Sequence, residues 1–274
     1  MNWEGDSENP AVGHFASAGV GIYDRSGNRI EQLQRIIPEK PITLYLNDKE
    51  VVTLLCVGHH LDELAAGFLY SEGFLRAPED ISGIRIDDEA GMVKVSAKAD
   101  DPITRRLWRK RKISTCTKGS LFYFSLDSLL SRPVESDFRV HPRLILDRLE
   151  ELDRLSEAYR HTHGVCSTAL ADVDGTILFR YDIGHNAADM VLGHVFLNGI
   201  QLMDKMLITT GRLTSELPIK AAKVGLPIIV SCATATSLAI DLAASLGVTL
   251  IGSARAGRFT VYSGQERIND GLPG

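Results

Sequence analysis

The spacing of apolar residues changes character near the middle of the chain. In "PITLYLNDKEVVTLLCV", aliphatic and polar positions alternate on both sides of Asn47-Asp48, the pattern of two strands joined by a tight turn. "HHLDELAAGFLYSEGFL" then puts Leu61, Leu64, Ala65, Phe68 and Leu69 on one side of a helix, with Gly73 suited to its exit. "ISGIRIDDEAGMVKVSA" reads as a second hairpin turning on Asp, Glu and Gly. The first part is therefore α+β with local hairpins.

The second part opens with "PRLILDRLEELDRLSEAYRHT", one amphipathic helix with Leu144, Leu149, Leu152 and Leu155 along one side and Pro142 at its start. Strands and helices then alternate. "VCSTALADVDGTILFRYDI" is a hairpin turning at Asp174-Gly175, and "HNAADMVLGHVFLNG" is a helix ending at Gly199. "KMLITTG" and "LPIIVSC" are short apolar strands. Each precedes a helix: "TSELPIKAAKVG", with Thr214 or Ser215 as cap, and "TATSLAIDLAASLG", with Thr234 or Thr236 as cap. "VTLIGSA" and "RFTVYSG" close the chain as strands. This alternation predicts an α/β layered sheet with helices on its faces, α+β for the chain as a whole. The expected organisation is a flexible tail over 1–35, an N-terminal α+β subdomain over 36–140 that carries the Cys116 loop, and a layered domain over 141–274.

Composition fits a soluble globular protein: 274 residues, 44% hydrophobic and 24% charged. A net charge of -5 argues against a general nucleic-acid binder. No apolar run approaches the roughly 20 residues of a membrane span, and the acidic, polar N-terminus lacks the look of a secretory signal. A cytoplasmic protein is expected, with neither membrane nor nucleic acid as partner. The cysteines, Cys56, Cys116, Cys166 and Cys232, are widely spaced and form no C-x-x-C pair. They read as free thiols in a reducing compartment, with no structural zinc site.

Against the acidic average, residues 105–112 hold Arg105, Arg106, Arg109, Lys110, Arg111 and Lys112, and Cys116 and Lys118 follow. Positive charge beside a thiol favours the nucleophilic thiolate. A solvated basic face beside an ordinary cysteine is the competing reading. Three loops could meet an anion. "TTGRLTSE" follows a strand and opens a helix, so backbone N–H groups near Gly211, together with Arg212, could receive one. "IGSARAGRF" places Arg255 and Arg258 around Gly257, where a forked grip on phosphate or plain turn chemistry would suit. "RYDIGHNAAD" sets Asp182, His185 and Asn186 at a strand-to-helix turn; Asp182 and Asn186 also read as caps, and His185 as a structural histidine. There is no G-x-x-x-x-G-K-[ST], G-x-G-x-x-G or G-x-S-x-G, and no zinc-deaminase signature.

Taken in order, "LAAGFLYSEGFL", "GVCSTALADVDGTILFRYDIGHNAAD", "TTGRLTSELPIKAAKVGLPIIVS", "TSLAIDLAASLGVTLIGSARAGRFTVYSG" and "ERI" resemble the FdhD/NarQ family. These are accessory sulfurtransferases for formate dehydrogenase. The resemblance runs from about Pro41 to Ile268. It implies a three-layer core similar to cytidine deaminases, an added N-terminal α+β subdomain, a homodimer and a bacterial cytoplasmic setting. It implies that sulfur comes from a cysteine desulfurase. The sulfur would pass to molybdenum bis(molybdopterin guanine dinucleotide), the bound client, before insertion into the formate dehydrogenase catalytic subunit. By this resemblance Cys116 in "STCTKGS" corresponds to the sulfur-carrying cysteine, able to hold a persulfide. Ser253, Ala254, Arg255, Ala256, Gly257 and Arg258 are similar to the family's cofactor-binding segment. Gly211, Arg212, Asp182, His185 and Asn186 complete the candidate set.

Departures from the family pattern are specific. Gly119 stands where a second loop cysteine is usual, "DIGHNA" lacks an arginine, and Cys166 and His163 stand where histidine and glycine are typical. Cys166 is a candidate second thiol or a buried strand residue, while Cys56 and Cys232, in apolar strands, read as core. A carrier that binds the cofactor through Arg212, Arg255 and Arg258 without moving sulfur is the alternative function.

Overall fold

The computed structural model describes residues 15–98, 132–162, 164–182, 186–269 and 271. Its first element is a hairpin, β1 (Ala16–Tyr23) and β2 (Arg29–Ile36), inside the segment expected as a tail. The Asp24 carboxylate accepts the Ser26 and Asn28 N–H groups and closes the turn, a local signal that the reading of 1–35 as a tail takes no account of.

A four-stranded sheet follows, formed by β3 (Lys40–Leu46), β4 (Lys49–Cys56), β5 (Ile81–Asp87) and β6 (Met92–Ala97) in the order β4-β3-β6-β5. Asn47 and Asp48 both adopt positive φ, 48° and 61°, which supplies the β3–β4 turn. Period-2 alternation puts Ile42, Leu44, Leu46, Val52, Leu54, Val93 and Val95 on one face. That face packs in one core with helix α1 (Leu61–Ser71), through Leu61, Leu64, Ala65, Phe68 and Leu69.

The predicted helix over 142–162 is two helices, α2 (Pro142–Leu155) and α3 (Glu157–Thr162). Ser156 breaks it. Its backbone leaves the helical region (φ -88°, ψ 76°), and its Oγ donates to the Leu152 carbonyl at 2.6 Å. Asp182, distant in sequence, then accepts the Ala158 and Tyr159 N–H groups and starts the new helix.

A six-stranded sheet carries the rest. It comprises β7 (Ser167–Ala171), β8 (Ile177–Asp182), β9 (Met206–Thr209), β10 (Ile228–Ser231), β11 (Thr249–Arg255) and β12 (Arg258–Ser263), in the order β12-β11-β10-β9-β7-β8. Strands β9, β10 and β11 are parallel, and β7, β8 and β12 are antiparallel to their neighbours. Ala169, Ala171, Met206, Ile208, Ile228, Val230 and Ile251 share a core with Ile145, Leu149 and Leu152 of α2. The intervening Leu170, Leu207, Ile229 and Leu250 join the other core, with α4 (Ala187–Leu197), α5 (Glu216–Val224) and α6 (Ser237–Ser245). Helices cover both faces, so this part has three layers, and the chain as a whole is mixed α and β as expected. Among the described residues no helix is long and apolar enough to cross a membrane.

Two arrangements bind the parts. At the crossing of α1 and α4, Gly67 and Gly193 let the backbones meet: a Cβ on Gly67 would lie 1.8 Å from the Asp189 carbonyl oxygen. Beside it the buried Lys220 of α5 reaches Asp189 at 2.7 Å, and Ser71 of α1 donates to the same carboxylate at 3.0 Å. Burial alone would push the Lys220 ammonium down; the carboxylates of Asp189, Glu216 and Glu72 outweigh it and hold the group above its ordinary value. Farther on, the buried Arg267 of "ERI" donates to the carbonyls of Val134 and Gly247, pinning the 132–140 stretch to the sheet's far end.

Candidate functional site

The carboxyl ends of β9, β10 and β11 point to one edge of the sheet, the usual place for ligands in open α/β sheets. Because β7 runs antiparallel to β9, its starting end reaches the same edge. This topology assembles Cys166, Gly211, Arg212, Cys232 and Arg255 from four separate segments.

Small hydroxyls set the loops. Thr209 Oγ1 accepts the Gly211 N–H at 3.1 Å, Ser231 Oγ donates to the Gly211 carbonyl at 2.6 Å, and Thr210 Oγ1 accepts the Ser167 N–H at 2.9 Å. Leu213 exchanges backbone hydrogen bonds with the next loop, giving its N–H to Thr234 and accepting that of Thr236. These bonds change one expectation. The N–H groups of Thr210, Gly211 and Leu213 are already used within the protein, and Glu216 occupies the first turn of α5. Backbone reception of an anion by "TTGRLTSE" does not follow; Arg212, exposed, is what this loop offers.

The arginine loop is a two-residue hairpin turn. Ala256 and Gly257 both have positive φ, 52° and 73°, so Gly257 serves the turn. Arg255 and Arg258 stand directly opposite in register, both exposed and neither in an ion pair among the described residues. Like charges paired across strands repel, and an anion between them would relieve that repulsion. Ser253, just before, is also left-handed (φ 52°); its N–H donates to the Ala233 carbonyl at 2.7 Å and its Oγ pairs with Tyr262 Oη at 3.0 Å. Tyr262 Oη also meets Thr234 Oγ1 at 3.2 Å. The hydrogen bonds from Ser253 and Thr234 hold the Tyr262 phenol below its ordinary value. Ala254 is buried in the core under the sheet.

Asp182 and Asn186 are placed as structural groups. Asp182 is 1% exposed, and besides the α3 N–H groups it accepts the Ser167 hydroxyl at 2.5 Å. Asn186 precedes α4, makes no side-chain cap, and donates to the Leu55 carbonyl at 2.7 Å. The Asp182 carboxylate is taken up by these partners, and the Asn186 amide nitrogen by Leu55. His185, His163, the basic island at 105–112 and Cys116 lie outside the described residues.

The cysteines sort differently from expectation. Cys56 is buried in β4. Cys232, expected as core, is only partly buried and follows β10, with Sγ 3.7 Å from the Thr210 carbonyl. Cys166 is also partly buried and stands over Gly211, where a Cβ would come 3.3 Å from its sulfur. Burial pushes both thiols above their ordinary value; Arg212 pulls Cys166 down and Arg255 pulls Cys232 down. The signal missed in Cys232 was positional, since it ends a parallel strand flanked by glycine-bearing and hydroxyl-rich loops.

Residues 37–269 match the model of the FdhD/NarQ family. The sulfur carrier protein FdhD of Bacillus subtilis is 39% identical over 238 residues, covering 86% of this chain and 91% of the relative. That of Listeria innocua is 38% identical, over 85% of this chain and 91% of its own length. A crystal structure from Desulfotalea psychrophila, of a protein named as a formate dehydrogenase accessory protein, superposes with a TM-score of 0.77 at 26% identity, covering 93% of this chain and 99% of that one.

Proposed function

The chain belongs to the FdhD/NarQ family, and we propose that it carries sulfane sulfur on Cys116 from a cysteine desulfurase to molybdenum bis(molybdopterin guanine dinucleotide) destined for formate dehydrogenase. The cofactor is cargo in this reading. In the loading step the Cys116 thiolate attacks the terminal sulfur of a donor persulfide. The donor's S–S bond breaks as the new one forms, and the donor leaves as a thiol. The terminal sulfur is then presented to the anionic client.

The observation that carries the reading is the Arg255–Arg258 clip, without an acidic partner among the described residues, at the same carboxyl edge of three parallel strands as the loop of Arg212. Three exposed cations without acidic partners among the described residues suit the pyrophosphates of a dinucleotide. The name carried by the Bacillus and Listeria relatives supports sulfur carriage.

The test has two arms. Guanosine diphosphate should bind the full chain, and Arg255→Ala or Arg258→Ala should each weaken it by roughly tenfold, the worth of one charge-assisted contact. In cells lacking the endogenous family member, Cys116→Ala should abolish formate dehydrogenase activity while guanosine diphosphate affinity stays unchanged. Full activity with Cys116→Ala would replace the transfer reading with that of a carrier that binds the cofactor without moving sulfur.

A further inference from the structure

Cys166 and Cys232 both meet a single peptide, Thr210–Gly211. Cys232 Sγ approaches the Thr210 carbonyl at 3.7 Å, and Cys166 Sγ lies 3.3 Å from where a Gly211 Cβ would stand. Around them stand Arg212, Arg255 and Tyr159 of α3; beyond burial, Cys166 adds to the proton affinity of Cys232, and both thiols add to that of the Tyr159 phenol. Both residues are partly buried at the edge that carries the arginine clip. Neither belongs to either hydrophobic core.

The sheet fixes how they can react. Strands β7 and β10 lie on either side of β9. The two cysteine backbones are therefore about two strand spacings apart, roughly 10 Å. A disulfide spans at most about 7 Å between Cα atoms. The pair is disfavoured for direct oxidation, yet both thiols meet the same Thr210–Gly211 peptide. A thiol pair that cannot easily close on itself can hold an extra sulfur without expelling it as sulfide.

We propose that Cys166 and Cys232 form a second sulfane-sulfur site, fed by a persulfide and able to pass one sulfur atom across the Thr210–Gly211 peptide beside the arginine clip. The inference rests on the sulfur-carrier reading. In the first step deprotonated Cys166 attacks the terminal sulfur of R–S–SH. The donor S–S bond breaks, the new bond forms at Cys166 Sγ, and the donor leaves as a thiolate that takes up the proton. In the second step Cys232 repeats the exchange on the terminal sulfur, leaving Cys166 as a thiol. Each step breaks one S–S bond and forms one, so no oxidant or reductant is consumed. The donor is a low-molecular-weight persulfide or the persulfide of another cysteine, including Cys116.

The experiment uses the reduced full chain and glutathione persulfide, with sulfane sulfur counted by cyanolysis and located by peptide mass spectrometry under alkylating conditions. Cys116→Ser should keep sulfur on the peptides of both Cys166 and Cys232. Cys116→Ser/Cys232→Ser should keep it on Cys166 alone, and the triple variant with Cys166→Ser should lose at least tenfold. Gly211→Ala in the Cys116→Ser background retains both thiols but crowds Cys166, and should slow loading at least fivefold; an unchanged rate would overturn the proposed seat. Sulfur found on Cys116 in the unmodified chain, with none on the other two in Cys116→Ser, would overturn this inference and leave the carrier reading standing. A Cys166–Cys232 disulfide with released sulfide would also overturn it. No sulfane sulfur on any cysteine of the unmodified chain would overturn both.

Discussion

Gly67 of α1 and Gly193 of α4 face each other so closely that a Cβ on either would lie 1.8 Å from a backbone carbonyl of the opposite helix, Asp189 for one and Glu63 for the other. The atoms in the way are backbone, which cannot rotate aside. Gly67→Ala or Gly193→Ala must therefore separate two helices that join the four-stranded sheet to the six-stranded one. Each is expected to cost about 3 kcal/mol or more, read as a lowered denaturant midpoint. A change under about 0.5 kcal/mol, the range of neutral surface substitutions, would contradict the close crossing.

The buried Lys220–Asp189 pair lies beside that crossing. Removing one partner leaves an uncompensated charge in the core, so Lys220→Met should cost about 3–5 kcal/mol. Asp189→Leu with Lys220→Met should recover at least half of the loss, because Ser71 keeps its second acceptor, the Phe68 carbonyl. Equilibrium unfolding of the single and double variants decides this.

Glu63 sits at the same junction, accepting from Tyr181 and meeting His194 Nδ1 at 2.8 Å and His60 Nδ1 at 3.4 Å. Burial alone would raise its carboxyl; the hydrogen bonds from His194 and Tyr181 outweigh it, and the group is held below its ordinary value of 4.5. Its folded-state pKa is depressed, so its contribution to stability is complete above that ordinary value. The contribution is lost as pH falls through the lower folded value. Unfolding midpoints followed from about pH 6 down to about pH 3 should therefore fall more steeply for the native chain than for Glu63→Gln. Parallel curves would show that this carboxylate is not linked to folding.

At the arginine hairpin, Ala256 bears a left-handed φ of 52° in a turn whose favoured residues are Asn and Gly. Ala256→Asn should raise stability by about 0.5–1 kcal/mol and leave guanosine diphosphate affinity unchanged, since Arg255 and Arg258 keep their register. A loss of stability measured by thermal unfolding would argue against this turn geometry.

Much of the architecture was legible because it is written locally. Period-2 runs and their turn residues gave β3–β4 at Asn47-Asp48 and β7–β8 at Gly175. Gly225 ends α5 in the left-handed conformation, and Thr236 caps α6 by accepting the Ala239 N–H. The ordered motifs also carried the family. Where the reading failed, a distant partner had intervened. Nothing in "DRLSEAYRHT" reveals that Asp182 will start a fresh helix at Ala158 and split the predicted one at Ser156. Likewise Asp182 and Asn186 looked available for a ligand until the fold supplied partners for them.

Residue order alone was enough for most of the strands and helices from Lys40 onward, for the loops in which Arg212, Arg255 and Arg258 reside, and for the kinship that makes a sulfur chemistry worth testing. The folded sheet was needed to bring Cys166, Gly211, Cys232 and Arg255 to one edge and to leave Cys232 partly buried there. Residue spacing fixes contacts over a few positions, through backbone periodicity. Strand order is fixed by which apolar faces can be buried together, and that global choice places β7 and β10 on the two sides of β9.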